Sequence, residues 1–309
     1  MPKIVTAFLL ALLVAALSGC SRTDQERAHG QKPTDLSQPR HSLRIGLIPE
    51  QNIFNQMERY EPLAQYLSKK LGVDIQFTIL LRYGNIIDNF VADGLDGAFF
   101  GSFTYALAHE KIKVRVVVRP EYPDGHSTYY GMIIVRKDSG IRTVKDMRGK
   151  RFVFVDKATT AGYLLPYAYF KSHAIDHHTY LRESYFAGTH ENVVMDVLDR
   201  KADIGAIKNT VFALLAAKNK RIAQELMMLE RSPDVPENAL AFRKDLDPKL
   251  VQDIRTALLR MHEDIEGAEL IKAFGAKRFI ETTDNDYLPV YRYARQAGIK
   301  LSSYDYLND

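Results

Sequence analysis

From residue 42 onward, strand-like and helix-like segments alternate along the chain, and this alternation constrains the fold more than any other feature. "SLRIGLIP" (42–49) has the period-two pattern of a strand, and "MERYEPLAQYLSKKLG" (57–72) has apolar residues at helical spacing and stops at a glycine. A strand at 73–80, a helix at 83–94, a buried strand at 95–101, a helix from Ser102 and strands at 113–120 and 129–137 follow. A second run begins with a short helix and turn at 142–150 and a strand, "RFVFV" (151–155), leading into a helix. It continues with an extended segment at 180–187, a helix at 190–202, a strand at 203–207, a helix at 209–219 and strands at 224–233 and 239–246. The tail, 247–300, reads as helical. The pattern predicts parallel α/β units, and residues 42–309 suffice for one large domain or two lobes. In open α/β sheets ligands bind beyond the carboxyl ends of strands. Here those ends carry "RYG", "GSF", "TTAG", "GTH" and "KNT".

Ahead of the alternating region the chain begins "MPKIVTAFLLALLVAALSGCSR". A lysine, an apolar run from Ile4 to Leu17 and then small residues have the shape of an export signal, too short for a spanning helix. Its end, "LSGC" (17–20), resembles a bacterial lipobox, which implies a signal peptide over 1–19 and a lipidated, palmitate-type anchor on Cys20. Cys20 is the only cysteine and so has no disulfide partner within the chain. Residues 20–42 then form the lipidated cysteine and a flexible tether, polar and without an apolar period. The expected location is the cell envelope, extracytoplasmic and facing the periplasm in a Gram-negative host, where Ser21 after the cysteine favours the outer membrane.

Charge and motifs exclude several classes. The net charge is +4, with lysines and arginines scattered rather than clustered, so no nucleic-acid partner is expected. No G-x-S-x-G, H-E-x-x-H or P-loop pattern occurs, and no cofactor is implied. "HAIDHH" (173–178) spaces two histidines at i and i+4, but no cysteine or carboxylate cluster accompanies them, and no metal site is expected.

"DKATTAGYLLP" (156–166) follows a buried strand and opens a helix with two hydroxyls and a glycine. Thr159 and Thr160 suit a plain N-cap, and they equally suit an anion held at a helix N-terminus. Further segments accompany it: "RYGNIIDNF" (82–90), "GLDGAFFGSFTYALA" (94–108), "STYYGMIIVRKDSGIRTVKDMRGKRFVFVD" (127–156), "FAGTHENVVMDVLDRKADIGAI" (186–207) and "RSPDVPENALAFRKDL" (231–246). In this order and spacing they resemble the periplasmic binding proteins of phosphonate, phosphite and phosphate ABC transporters, over residues 43 to about 260.

The resemblance implies the two-lobed type II periplasmic binding protein fold, with two α/β lobes joined by crossing hinge strands that close on a ligand. Lobe one is expected over 43–134 plus 240–309, lobe two over 137–236, with crossings near 132–138 and 234–242. The family's site residues fall on Tyr83 and Tyr129, on Thr159, Thr160 and Ala161 of its hydroxyl-rich turn, and on His190. Alanine at 161 removes the turn's third hydroxyl and leaves a backbone N–H. Two positions that hold carboxylates in binders of aminoalkyl phosphonates are neutral here, Thr210 and Asn238. Tyrosine and threonine hydroxyls, backbone N–H groups and a histidine are the donors a tetrahedral oxyanion requires, and several fixed donors make burial of its charge tolerable without an arginine.

The function implied is a lipid-anchored, extracytoplasmic solute-binding protein that captures phosphate, phosphite or a simple phosphonate for an ABC importer, with the permease as partner and no enzymatic activity. The alternatives are a sensing subunit of the same fold feeding a membrane receptor or kinase and, with less support, a periplasmic enzyme.

Overall fold

In the computed structural model, which describes residues 42–308, the chain builds one sheet, leaves to build a second, and returns to finish the first. The signal peptide, Cys20 and the tether lie outside the described residues. The first run is β1 (Ser42–Leu47), α1 (Ile53–Leu71), β2 (Asp74–Ile79), α2 (Asn85–Ala92), β3 (Gly97–Phe100), α3 (Ser102–Ile112) and β4 (Arg115–Glu121). The short strand β5 (Thr128–Tyr129) leads into β6 (Gly131–Arg136), β7 (Arg151–Phe154) and a π-helical turn (Thr160–Leu164) that continues as α4 (Leu165–Ser172). Then come α5 (His177–Tyr180), β8 (Glu183–Phe186), α6 (His190–Leu198), β9 (Ile204–Lys208), α7 (Asn209–Lys218), α8 (Lys220–Glu225) and β10 (Leu226–Arg231). The return passes through β11 (Val235–Pro236) to β12 (Ala239–Phe242), α9 (Pro248–Leu259), α10 (Ile265–Ala273), β13 (Arg278–Glu281) and α11 (Leu288–Gln296).

One sheet has the order β13-β4-β12-β3-β1-β2 and the other β10-β6-β9-β7-β8. β5 and β11 pair antiparallel in the two connecting segments. Each sheet is mixed rather than parallel. β1 runs parallel to β2 and β3, and β7 parallel to β8 and β9, as βαβ crossovers require. β12 enters from the connecting segment without a helical crossover and lies antiparallel between β3 and β4. β6 enters the same way and lies antiparallel to β9 and β10. The direct strand connections that join the lobes thus break the parallel pattern, as does β13 at the sheet's end, antiparallel to β4.

Two expectations change. The first crossing falls at β5, ahead of β6, so 132–138 is not the hinge; residues 131–136 are a fully buried strand of the second sheet. "GMIIV" is apolar without interruption, so nothing in the sequence marks where the chain changes sheets. The tail is also not wholly helical. β13 pairs antiparallel along β4 and forms the sheet's edge, with Phe279 buried and Arg278 forking onto Glu121 (3.0 and 3.1 Å). Four residues are too few for a period-two pattern to stand out beside the helices α10 and α11.

Local chemistry sets the other boundaries. The Asn52 side chain caps α1 by accepting the Phe54 N–H (3.0 Å), and the helix ends where Gly72 turns left-handed at φ +66° and donates to the Ser68 carbonyl. The Thr189 hydroxyl caps α6 by accepting the Asn192 N–H (3.0 Å). One apolar core, built on Tyr60, Phe77, Phe99, Phe242, Phe274 and Phe279, covers one face of the first sheet. Phe152, Phe154 and Phe170 anchor another on the second sheet, and a third runs from lobe to lobe through Phe103, Tyr129 and Ala161. Among the described residues no helix is long and apolar enough to cross a membrane.

Candidate functional site

The strand ends facing between the two sheets each run into a helix, and the helix N-termini gather there. Tyr83 precedes α2, Gly101 precedes α3, Thr159 precedes the π turn, His190 opens α6 and Lys208 precedes α7. These five residues all line one small cavity, with ≈ 220 Å³ of empty space. Unpaired N–H groups and the positive ends of helix dipoles make such a convergence an anion-binding environment.

The turn at 159–162 is shaped for this place. The Leu164 N–H reaches back five residues to the Thr159 carbonyl (3.0 Å), and the Val155 N–H bonds the Gly162 carbonyl (3.2 Å). A Cβ on Gly162 would lie 2.4 Å from Val155 Cγ2 and 2.7 Å from Thr159 Oγ1, so only glycine lets the turn pack onto the end of β7. π-type turns of this kind are frequent at functional sites. The turn also holds the first lobe: the Phe103 N–H donates to Thr160 Oγ1 (2.8 Å) and the Thr104 hydroxyl to the Ala158 carbonyl (3.0 Å). The Thr160 side chain also hydrogen-bonds the Tyr129 hydroxyl.

Seven of the eight residues singled out in the sequence line this cavity: Tyr83, Tyr129, Thr159, Thr160, Ala161, His190 and Asn238. Thr210 does not. It is the second residue of α7 and lines the adjoining cleft, ≈ 850 Å³, with Arg59 and Tyr122. The Tyr83 hydroxyl is buried, has no hydrogen-bond partner and belongs to a ring set edge-on to His190. Burial, with Glu50 nearby, pushes its pKa well above the ordinary value, so it stays a donor. The Tyr129 hydroxyl lies 2.9 Å from Ser102 Oγ, which donates to the Pro236 carbonyl (2.6 Å).

Three ionisable residues at the cavity were not singled out as site residues: Glu50 and Lys208, which line it, and Glu237, which lies behind Lys208 in the adjoining cleft. All are at least nine-tenths buried. Lys208 Nζ bonds both Glu50 Oε1 (3.1 Å) and Glu237 Oε1 and sits 4.5 Å from the centre of the Tyr129 ring. Asn238 Nδ2 donates to Glu50 Oε1 (2.9 Å), and Tyr122 donates to Glu237 Oε2 (3.0 Å). Burial alone would pull the Lys208 ammonium down, but the two carboxylates outweigh it and hold its pKa well above the usual value. Burial likewise raises Glu50, and Lys208, His190, Arg59 and the Asn238 bond together leave it below the ordinary range. Each residue stands just beyond or at a strand end, so the strand-end rule is the sequence signal that could have found them.

His190 Nδ1 accepts the Lys208 backbone N–H (3.3 Å), which places the neutral ring's proton on Nε2. Burial pulls its pKa to about 4, with Glu50 opposing the shift and Lys208 adding to it. The unfolded state therefore binds more protons between pH 6.5 and 4, and stability present above that window is lost as pH falls through it. The loss from this one residue is at most roughly 3 kcal/mol. His177, drawn down to about 4 by burial among Phe154, Tyr167 and Phe170, acts in the same direction. Urea unfolding at pH 4.5 and 7 is expected to show the ligand-free protein weaker in acid, and less so in His190→Asn; a flat profile for the wild type would contradict a neutral buried imidazole. Asp176, His177 and His178 bring ligand atoms within 4.8 Å of one another, but His177 is packed against rings and Asp176 caps α5, so they complete no cation site by geometry alone.

Two α/β lobes joined by paired connecting segments, with a donor-rich cavity between them, define a type II substrate-binding protein. The family described as "ABC transporter, phosphonate, periplasmic substrate-binding protein" matches residues 45–287. The chain belongs to this family, whose members bind substrates for transport rather than transform them. It is 26% identical over 266 residues to the phosphate-import protein PhnD of Mycolicibacterium smegmatis, covering 82% of this chain and 80% of that one. Its fold is similar to that of a binding-protein component of an ABC phosphonate transporter from Pseudomonas aeruginosa (TM-score 0.79, 20% identity, 84% of this chain and 87% of that one). It is similar also to PhnD1 of Prochlorococcus marinus, solved in complex with methylphosphonate (TM-score 0.76, 19% identity, 84% and 99%).

Proposed function

We propose that the chain captures a small phosphorus oxyanion, namely phosphate, phosphite or a simple phosphonate, in the cavity at the five helix N-termini and delivers it to an ABC permease. The observation that carries this reading is the buried, unpartnered Tyr83 hydroxyl lining that cavity. An unpaired buried hydroxyl is costly unless a ligand uses it. The Ala161 N–H and His190 Nε2 add donors from the second lobe to the Tyr83 hydroxyl of the first, and the Thr159, Thr160 and Tyr129 hydroxyls, bonded within the ligand-free protein to the Asp156 carbonyl, Tyr129 and Ser102, turn to an anion by exchanging those bonds. Related proteins are named for phosphate import and solved with methylphosphonate, which supports the same ligand class. Calorimetry with phosphate, phosphite and methylphosphonate, with sulfate as control, tests it. Saturable binding of at least one phosphorus anion is expected; heat from none of them refutes the reading.

The lipobox-like "LSGC" supports anchoring through lipid on Cys20, with the polar segment after it as a tether. Cys20→Ala is expected to move the protein from the membrane fraction to the soluble one. Unchanged membrane retention of that variant would contradict a lipid anchor.

A further inference from the structure

The wall between the small cavity and the outer cleft consists of the same few residues on both sides. Glu50, Lys208 and Asn238 line each of the two spaces, and Glu237 lines the outer one. Two buried carboxylates beside an anion cavity are at first sight the wrong charge, since each repels the anion. Lys208 offsets one of the two charges and screens the other. Its ammonium lies between Glu50 and Glu237, with the Tyr129 ring face 4.5 Å away as a third favourable surface. Asn238 bridges the same two acids, its side chain donating to Glu50 (2.9 Å) and its N–H to Glu237 Oε1 (2.9 Å). The arrangement is a complete ammonium-binding slot, two carboxylates and an aromatic face, and the chain's own lysine fills it.

We propose that Lys208 is the specificity-determining residue of the site: it occupies the acidic slot as an internal cation, lets the neighbouring cavity accept an anion, and shuts out ligands that join a phosphonate to an ammonium. This rests on the oxyanion reading of the cavity. A ligand amine reaching toward Glu50 and Glu237 meets a like charge already seated there, and the slot has no further acidic group to receive it. Exclusion of this kind works by an unfavourable contact with the wrong ligand rather than by better contacts with the right one.

The test is calorimetry of the wild type, Lys208→Ala and Lys208→Met with two probes, methylphosphonate and 2-aminoethylphosphonate. The wild type is expected to prefer methylphosphonate by about tenfold or more. In Lys208→Ala the slot is emptied with both acids in place, and the preference is expected to invert: methylphosphonate weakens by about tenfold or more while the aminoethyl compound gains. In Lys208→Met the slot stays filled but uncharged, so methylphosphonate weakens and the aminoethyl compound gains nothing. Because Lys208→Ala leaves two buried acids unpaired, its melting temperature is also read with added methylammonium, against tetramethylammonium at equal ionic strength. Selective stabilisation by methylammonium is expected, and it reports the slot even if the variant is unfolded without it. Equal wild-type affinity for both probes, or an unchanged preference together with no methylammonium effect in Lys208→Ala, overturns the proposal while leaving the oxyanion cavity standing. Failure of the wild type to bind any phosphorus anion is a different outcome and removes the oxyanion reading beneath it.

Discussion

Glu237→Ala is expected to destabilise the ligand-free protein by about 3–5 kcal/mol, the cost of breaking a buried ion pair from one side. Glu237 is 1% exposed and accepts from the Lys208 ammonium, the Asn238 N–H and the Tyr122 hydroxyl. Removing it leaves a buried ammonium with Glu50 alone and an unpaired phenol. It also frees the Asn238 N–H just where the chain re-enters the first sheet at β12. Urea unfolding measures the change. Glu237→Gln keeps the shape and an acceptor and is expected to lose less. A loss under 1 kcal/mol for the alanine variant would mean that the triad contributes almost nothing to holding the lobes and their connection together.

Tyr83→Phe is expected to act in opposite directions on stability and on binding. The hydroxyl has no partner in the ligand-free protein, so removing it relieves an unsatisfied buried group and stabilises by up to about 1 kcal/mol. The same hydroxyl is a donor facing the anion cavity, so oxyanion affinity is expected to fall by about 1–3 kcal/mol, roughly 5- to 150-fold. Few substitutions separate a functional from a structural role so cleanly. A purely structural tyrosine would show the stability change with affinity untouched, and a variant that loses stability would show that the hydroxyl is satisfied after all.

Most of the fold was legible because its signals are local. Helix α1 announces itself through its apolar spacing and Gly72, and the central strands β3 and β9 through short apolar runs between turns. What was lost depends on pairing between distant segments. β13 is four residues on the edge of a sheet whose neighbour lies more than 150 positions earlier in the chain, as the Arg278–Glu121 bonds record. The change of sheet at β5 leaves no mark because β6 is apolar throughout.

The site divides in the same way. Its hydroxyls and histidine stand at strand-to-helix turns, where sequence and fold coincide. The charged wall does not: Glu50 and Lys208 are 158 positions apart, and neither carries a motif. Thr210 and Asn238 are neutral and offer no carboxylate to a ligand amine. The folded chain instead supplies two from other positions and pairs both with its own lysine. Which of the helix N-termini share a cavity, and which acids a lysine meets, follows only from the packing of the two lobes.

The cavity as the seat of the anion is tested most directly by a diffraction experiment on crystals grown with whichever of phosphate, phosphite or methylphosphonate binds most tightly. The account predicts a tetrahedral anion within hydrogen-bond distance of the Tyr83 hydroxyl, the Ala161 N–H and His190 Nε2, with the Thr159 and Thr160 hydroxyls turned to it from the Asp156 carbonyl and Tyr129, and with Lys208 still between Glu50 and Glu237. An anion seated instead in the outer cleft against Arg59, with Tyr83 unpartnered, would contradict it.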